Sequence, residues 1–139
     1  MNQVEFDALI KSRVQSWQAP TVLALQNEPT PQTKNAHEFI KFTAQYGFGF
    51  LDESVGVRTV DGSSVEHTFI LRFDVFTKIN TGTARASEIC QNILNYWQVK
   101  KLADGATTIA GSIQDIGEES PHYHMAVLIP GQREEFLTV

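Results

Sequence analysis

Four histidines and one cysteine are the side chains of this chain best suited to metal or acid–base chemistry. His122 and His124 are two positions apart on a predicted strand, so both imidazoles fall on one face, a spacing that can bind a metal ion. The chain has no second cysteine, and Cys90 lies on the apolar stripe of a predicted helix, where an inert buried thiol is expected. We therefore predict no metal site and no cofactor.

Nucleophilic catalysis has little support in the sequence. Ser63, Ser64 and His67 are close together, but a loop serine near a histidine is common, and no Gly-x-Ser-x-Gly elbow is present. Glu118 and Glu119 are predicted to form a solvated turn. The sequence therefore predicts no catalytic residue, and we expect a protein that is not an enzyme.

The bulk composition limits the class of protein. A length of 139 residues favours one domain, 1–139, and 42% hydrophobic with 19% charged residues is ordinary for a globular chain. A net charge of −5, with 11 scattered Lys and Arg, argues against binding nucleic acid through its phosphates. The N-terminal residues lack the pattern of a signal peptide, and no stretch is long and apolar enough for a membrane span. We expect synthesis in a cytoplasm and no membrane partner.

Two segments have the periodicity of amphipathic helices, at 2–17 and 83–99. Asn2 and Glu5 fit a capping box that starts the first helix, and Ala19-Pro20 ends it. Lys100 and Lys101 are placed at the C-terminal end of the second helix, where they offset its dipole. The predicted buried stripes are Phe6, Leu9, Ile10, Val14 and Trp17 in the first helix and Ile89, Cys90, Ile93, Leu94 and Trp97 in the second.

Two long segments alternate as half-buried strands do. In 38–51 one face carries Ile40, Phe42, Ala44, Tyr46, Phe48 and Phe50, and in 66–77 one face carries Phe69, Leu71, Phe73 and Val75. A polar loop at 52–65 joins them, and shorter strands are predicted at 21–25, 107–116 and 122–130. The prediction is an α+β fold: a mixed, largely antiparallel five-stranded sheet with two helices packed on one face, order α-β-β-β-α-β-β, and a long protruding hairpin.

Part of the first long strand resembles an RNA-binding motif. The run Tyr46-Gly47-Phe48-Gly49-Phe50-Leu51 is similar to the first ribonucleoprotein motif, in which sheet aromatics stack on bases. It departs from that motif because Tyr46 stands where a basic residue is expected and Glu53 stands where an aromatic one is. One alternative function is thus a single-stranded RNA-binding module that uses Phe48 and Phe50. The other interpretation is that these rings pack under the helices.

The order of elements resembles a family of phage proteins over nearly the whole chain. An amphipathic helix ends at a Trp, and a short strand runs into Gln26-Asn27-Glu28-Pro29. A long hairpin follows, and its second strand, Phe69-Ile70-Leu71-Arg72-Phe73-Asp74-Val75-Phe76, leads through Thr81-Gly82 into a helix. Two further strands close the chain. This pattern is similar to that of the tail terminator family of long-tailed bacteriophages, also called tail completion or head-to-tail joining proteins.

The resemblance implies a virion structural protein that forms a homohexameric ring. Such a ring caps the completed tail tube and joins the tail to the head, so its partners would be copies of itself, the tail tube protein and the head connector protein. The chain would be made in the host cytoplasm and reside in the virion tail. An acidic lumen would let DNA pass without specific binding, because like charges repel.

The hairpin loop and its flanks are the predicted contact region, because long arms suit contacts between neighbours in a ring. The residues predicted to contact a neighbouring subunit or the tail tube are Asp52, Glu53, Val55, Arg58, Val60 and Asp61. Another minor tail or head-completion protein of the same fold is an alternative, as is a small ligand-binding or enzymatic domain of ferredoxin-like type.

Overall fold

The chain forms two α-helices and a sheet of eight strands in the part that the structure describes. The computed structural model describes residues 2–25, 38–46, 57–59, 64–80, 82–119 and 121–136, with the backbone alone at 57–59, 64, 65 and 136. In chain order the elements are α1 (Gln3–Ser16), β1 (Leu23–Ala24), β2 (Phe39–Tyr46), β3 (Val57–Thr59), β4 (Ser64–Lys78), α2 (Ala84–Trp97), β5 (Lys101–Ala103), β6 (Ala106–Thr108), β7 (Ser112–Glu119) and β8 (His122–Phe136). The fold is α+β, as the sequence predicts.

Helix α1 begins at the predicted capping box. The Asn2 side chain accepts a hydrogen bond from the Glu5 amide at 2.9 Å, and the Asn2 amide donates to the Glu5 carboxylate at 3.3 Å. These two bonds satisfy the amides of Asn2 and Glu5, which have no acceptor within the helix. Phe6, Ile10 and Val14 are fully buried, so the predicted apolar stripe faces the core.

Helix α2 starts and ends close to the predicted bounds, but the residues after it differ from the prediction. Trp97 is its last residue, and Val99 then takes a left-handed φ of 49°. This turn sends the chain back along the sheet, so that Lys101 begins β5 instead of lying in the last helical turn. The ammonium group of Lys100 lies 3.4 Å above the ring of Tyr96, a cation–π contact. The buried positions of α2 are Ala86, Ile89, Cys90, Ile93 and Trp97.

Strands β4 and β8 form the centre of the sheet. They pair antiparallel along all 15 residues, from Ser64 opposite Phe136 to Lys78 opposite His122. The order across the sheet is β1-β2-β4-β8-β6-β5, with β3 also on β4 and β7 also on β8. Only β1 and β2 run parallel among these pairs. At about 3.3 Å per residue, 15 extended residues reach about 50 Å, whereas a 14-residue helix spans about 21 Å.

The sequence predicts five strands, and the described residues contain eight. The predicted strand 107–116 is divided into β6 and β7, β5 and β3 were not predicted, and β8 continues past Pro130. Pro130 is tolerated there because its carbonyl accepts from the Ile109 amide at 2.9 Å, so its nitrogen faces the break between β6 and β7. The ladder to β4 on the other side loses no donor at this position.

Both helices pack on the same face of the sheet, as predicted. The ring of Phe6 lies 4.8 Å from that of Phe69, and the rings of Trp17 and Trp97 each lie 5.7 Å from that of Phe73. The predicted inward residues of β2 and β4 lie on this face, which we call the inner face. Phe48 and Phe50 lie outside the described residues. No helix in the described ranges is long and apolar enough to cross a membrane.

Candidate functional site

The predicted contact region is described only in part. Arg58 lies in β3, where its backbone pairs with Glu66 of β4. Strand β2 ends at Tyr46, opposite Phe69, and β3 begins at Val57, so the connection between them starts and ends beside β4. The other predicted contact residues lie outside the described residues: Asp52, Glu53, Val55, Val60 and Asp61. Their role stays a prediction.

The strongest side-chain constellation of the described chain lies on the opposite side of the sheet, which we call the outer face. His124 of β8 is held between two carboxylates. Its Nε2 lies 2.7 Å from Asp74 Oδ1 on β4, and its Nδ1 lies 2.6 Å from Glu119 Oε2 on β7. One imidazole therefore joins three neighbouring strands through two short polar contacts.

Two further β4 residues complete this group. Arg72 donates from Nε to both carboxylate oxygens of Asp74 at 3.1 Å, and the ring of Phe76 stacks on His124 with centroids 4.3 Å apart. The side chains of His124 and Asp74 are only 9% and 12% exposed, so the arginine and the imidazole compensate a carboxylate that is largely removed from water. We call Arg72, Asp74, Phe76, Glu119 and His124 the outer-face cluster.

A β-bulge brings Glu119 to this cluster. Asp115 pairs with Met125, but Gly117 pairs with His124, so the register of β7 shifts by one residue between them. Because side chains alternate along a strand, this extra residue moves Glu119 from the inner to the outer face. Gly117 has a φ of +109°, a conformation that favours glycine. The prediction that Glu119 belongs to a solvated turn is wrong, because it lies in β7 and contacts His124.

His122 and His124 share a strand face, as predicted. His122 lies edge-on to Phe39 at 5.3 Å between ring centroids, and Phe39 in turn stacks on Phe76 at 4.7 Å. Both ring nitrogens of His124 face carboxylate oxygens of Asp74 and Glu119. Within the described ranges, no group of three or more His, Cys, Asp or Glu side chains is arranged to hold a metal ion.

The remaining candidate residues have structural partners. His67 Nε2 lies 3.2 Å from Glu135 Oε1, while burial and the nearby Arg133 guanidinium lower the pKa of His67. Arg133 also donates to Gln3 Oε1 at 2.8 Å, which ties the start of α1 to β8. Ser63 lies outside the described residues. A loop-serine nucleophile beside His67 thus gains no support.

Cys90 is fully buried in α2, as predicted for a structural thiol. Burial raises its pKa to about 11, because the thiolate would lose its hydration in the core. At neutral pH the group stays a thiol and is a poor nucleophile or metal ligand.

Comparisons with known proteins establish the fold and leave the function open. No family model and no curated protein matches the chain. Several solved structures match, and one of them is similar over 100% of this chain and 99% of its own, with a TM-score of 0.65 and 15% identity; its name states no function. At that identity the similarity shows a shared fold alone.

Proposed function

We propose that this protein is a tail terminator of a long-tailed phage, a virion structural protein that caps the tail tube as a homohexameric ring and joins the tail to the head. The observation that carries the proposal is the β4–β8 pair, which runs 15 residues and is longer than either 14-residue helix can cover. Strand ends that extend beyond the helices covering the sheet can present their backbone and side chains to a neighbouring subunit.

The proposed hairpin is built on one end of this pair. Strands β2 and β3 run along the same edge of β4, from Phe39 opposite Phe76 to Thr59 opposite Val65. In sequence, the predicted contact residues fall between β2 and β3, in β3, or between β3 and β4. In the proposal, this end of one subunit packs on the next subunit or on the tail tube.

Charge supports the same proposal. The chain carries a net charge of −5. An acidic ring would also let DNA pass its lumen without specific binding.

The RNA-binding alternative finds less support in the described residues. The aromatic face of β2 packs under α1: Tyr46 Oη donates to Asp7 Oδ1 at 2.8 Å, and its ring lies 5.9 Å from that of Phe6. Phe42, further along the same face, is buried against Phe73. A base-stacking platform needs exposed rings, so the covered part of this face is unsuited to it.

The first experiment is the solution mass of the pure protein by light scattering, with and without millimolar Mg²⁺ and with purified tail tubes. The expected result is a mass of six times 15.5 kDa for the protein in solution, or binding of the protein to the tail tubes. A protein that stays monomeric in solution and does not bind tail tubes would refute the proposal.

A matched pair of variants tests the contact region. Replacing Asp52, Glu53 and Asp61 by the corresponding amides should abolish ring formation or tube binding while leaving the circular dichroism spectrum unchanged. Substitution is preferred to deletion because β3 is part of the sheet. The control replaces the exposed acids Glu88, Asp104 and Glu118 in the same way and should assemble normally. Equal assembly of both variants would remove the contact region from the proposal.

A further inference from the structure

We propose that His124 is a pH-sensitive lock that holds the C-terminal end of β7 on the sheet. The lock is independent of the proposed assembly, because it rests on contacts within one chain. Its parts are the His124 imidazole on β8, the Asp74 carboxylate on β4 and the Glu119 carboxylate on β7, at 2.7 and 2.6 Å from the ring nitrogens.

The lock depends on the number of N–H groups that the His124 ring carries. A carboxylate oxygen only accepts, so both ring nitrogens must donate for both contacts to be hydrogen bonds. Only the doubly protonated imidazolium has two N–H groups. A neutral ring satisfies one carboxylate and turns a lone pair toward the other, which converts an attractive contact into a repulsive one.

Burial decides which contact breaks. The Asp74 side chain is 12% exposed, so little water can replace the ring N–H if that contact is lost. The Glu119 side chain is 60% exposed and can be hydrated when released. The neutral ring therefore keeps its proton on Nε2 for Asp74, and the Glu119 contact is lost.

The position of Glu119 turns this local loss into a change in the strand. Glu119 is the last residue of β7, beyond the bulge at Asp115 to Gly117. That segment pairs with β8 alone, so it is a sheet edge with no second neighbour among the described strands. Releasing Glu119 removes a side-chain anchor from this short edge segment, which then opens more often.

Other charged and titratable groups lie on the same face near His124. In addition to Asp74 and Glu119, four such residues lie near His124. On β4, Arg72 bonds Asp74, and Lys78 pairs with His122 of β8 in the register position next to His124 on the same face. On β2, Lys41 pairs with Asp74. Loss of the second ring proton as the pH rises removes the N–H that faces Glu119, so higher pH is expected to open the end of β7.

The test is hydrogen exchange of the β7 amides, resolved by residue, at pH 6.0 and pH 8.5 and corrected for intrinsic rates. The ratio of the protection factors at 117–119 to those at 112–114 is expected to fall at least tenfold between pH 6.0 and pH 8.5. Residues 112–114 lie before the bulge in the same strand and serve as the internal reference. Glu119→Gln should show pH-independent protection at 117–119, because its amide can accept from Nδ1–H or donate to the bare Nδ1. Glu118→Gln, with the same charge change one residue earlier, should behave like the unmodified protein.

Nitrogen-15 spectra of the histidine rings test the order of events. The neutral His124 ring is expected to carry its proton on Nε2. A neutral ring protonated on Nδ1, a pH-independent protection ratio in the unmodified protein, or equal loss of protection in both Gln variants would overturn the proposal.

Discussion

Trp97 is the residue whose substitution tests the core most directly. It is 1% exposed at the end of α2, and its ring lies 5.7 Å from both Trp17 and Phe73. A buried tryptophan removes about 150–250 Å² from water, which at about 25 cal/mol per Å² corresponds to about 4–6 kcal/mol. Ala retains part of this, so Trp97→Ala should lower the free energy of unfolding by about 3–5 kcal/mol.

The indole nitrogen provides a sharper second variant. Trp97 Nε1 is buried and has no hydrogen-bond partner within the described part of the chain. An unsatisfied buried donor costs about 1–3 kcal/mol, and Phe removes it while keeping most of the apolar contact. The lost ring volume costs a similar amount, so Trp97→Phe should change stability by less than about 1 kcal/mol.

The assay is urea unfolding followed by far-ultraviolet circular dichroism, because removing a tryptophan alters fluorescence. Unchanged dependence of the unfolding free energy on urea would confirm that both variants fold to the same extent. The reasoning would be refuted by a loss below about 1 kcal/mol in Trp97→Ala, or by equal losses in the Ala and Phe variants. The second result would show that the indole N–H is bonded.

Three further predictions concern single positions. A Cβ at Gly131 would lie 2.6 Å from Phe69 Cε2, so Gly131→Ala should lose about 1–3 kcal/mol by overpacking in urea unfolding, and a loss near zero would contradict that packing. Val99 is 74% exposed at a φ of 49°, so Val99→Gly should gain about 0.5–1 kcal/mol in the same assay, and a loss would show that its side chain stabilises the fold. The hydrogen bond from Arg85 lowers the pKa of Glu38 below its usual value of 4.5. The ion pair therefore stabilises the fold above pH 4.5, and this stabilisation is lost as the pH falls through the lower pKa of the folded state. Since the Arg85 side chain is 41% exposed, Glu38→Gln should cost below about 1 kcal/mol at pH 6 and less at pH 3.5, and a pH-independent cost would contradict the linkage.

Much of the α+β fold follows from local patterns in the sequence. The capping box at Asn2 sets the start of α1, because it depends on two residues three positions apart. Alternation in β2 and β4 and the stripes of both helices assign the inner face, because burial of one face requires those periods. These predictions are confirmed for the described residues.

The errors in strand count have local causes that sequence patterns do not resolve. Pro130 ends a strand in the pattern, yet β8 continues because the proline nitrogen faces the break between β6 and β7. Strands β3 and β5 are three residues each, too short for periodicity, and they form because β4 and β6 provide a partner ladder.

The sequence by itself determined which residues are apolar, where the helices lie and that His122 and His124 share a face. Only the tertiary structure decided that His124 meets Asp74, which is 50 residues away, and Glu119, which a bulge turns to the outer face. Strand pairing sets such contacts, and pairing depends on register between distant segments. A one-residue shift in that register moves every side chain beyond it to the other face, so no local pattern could have predicted the cluster.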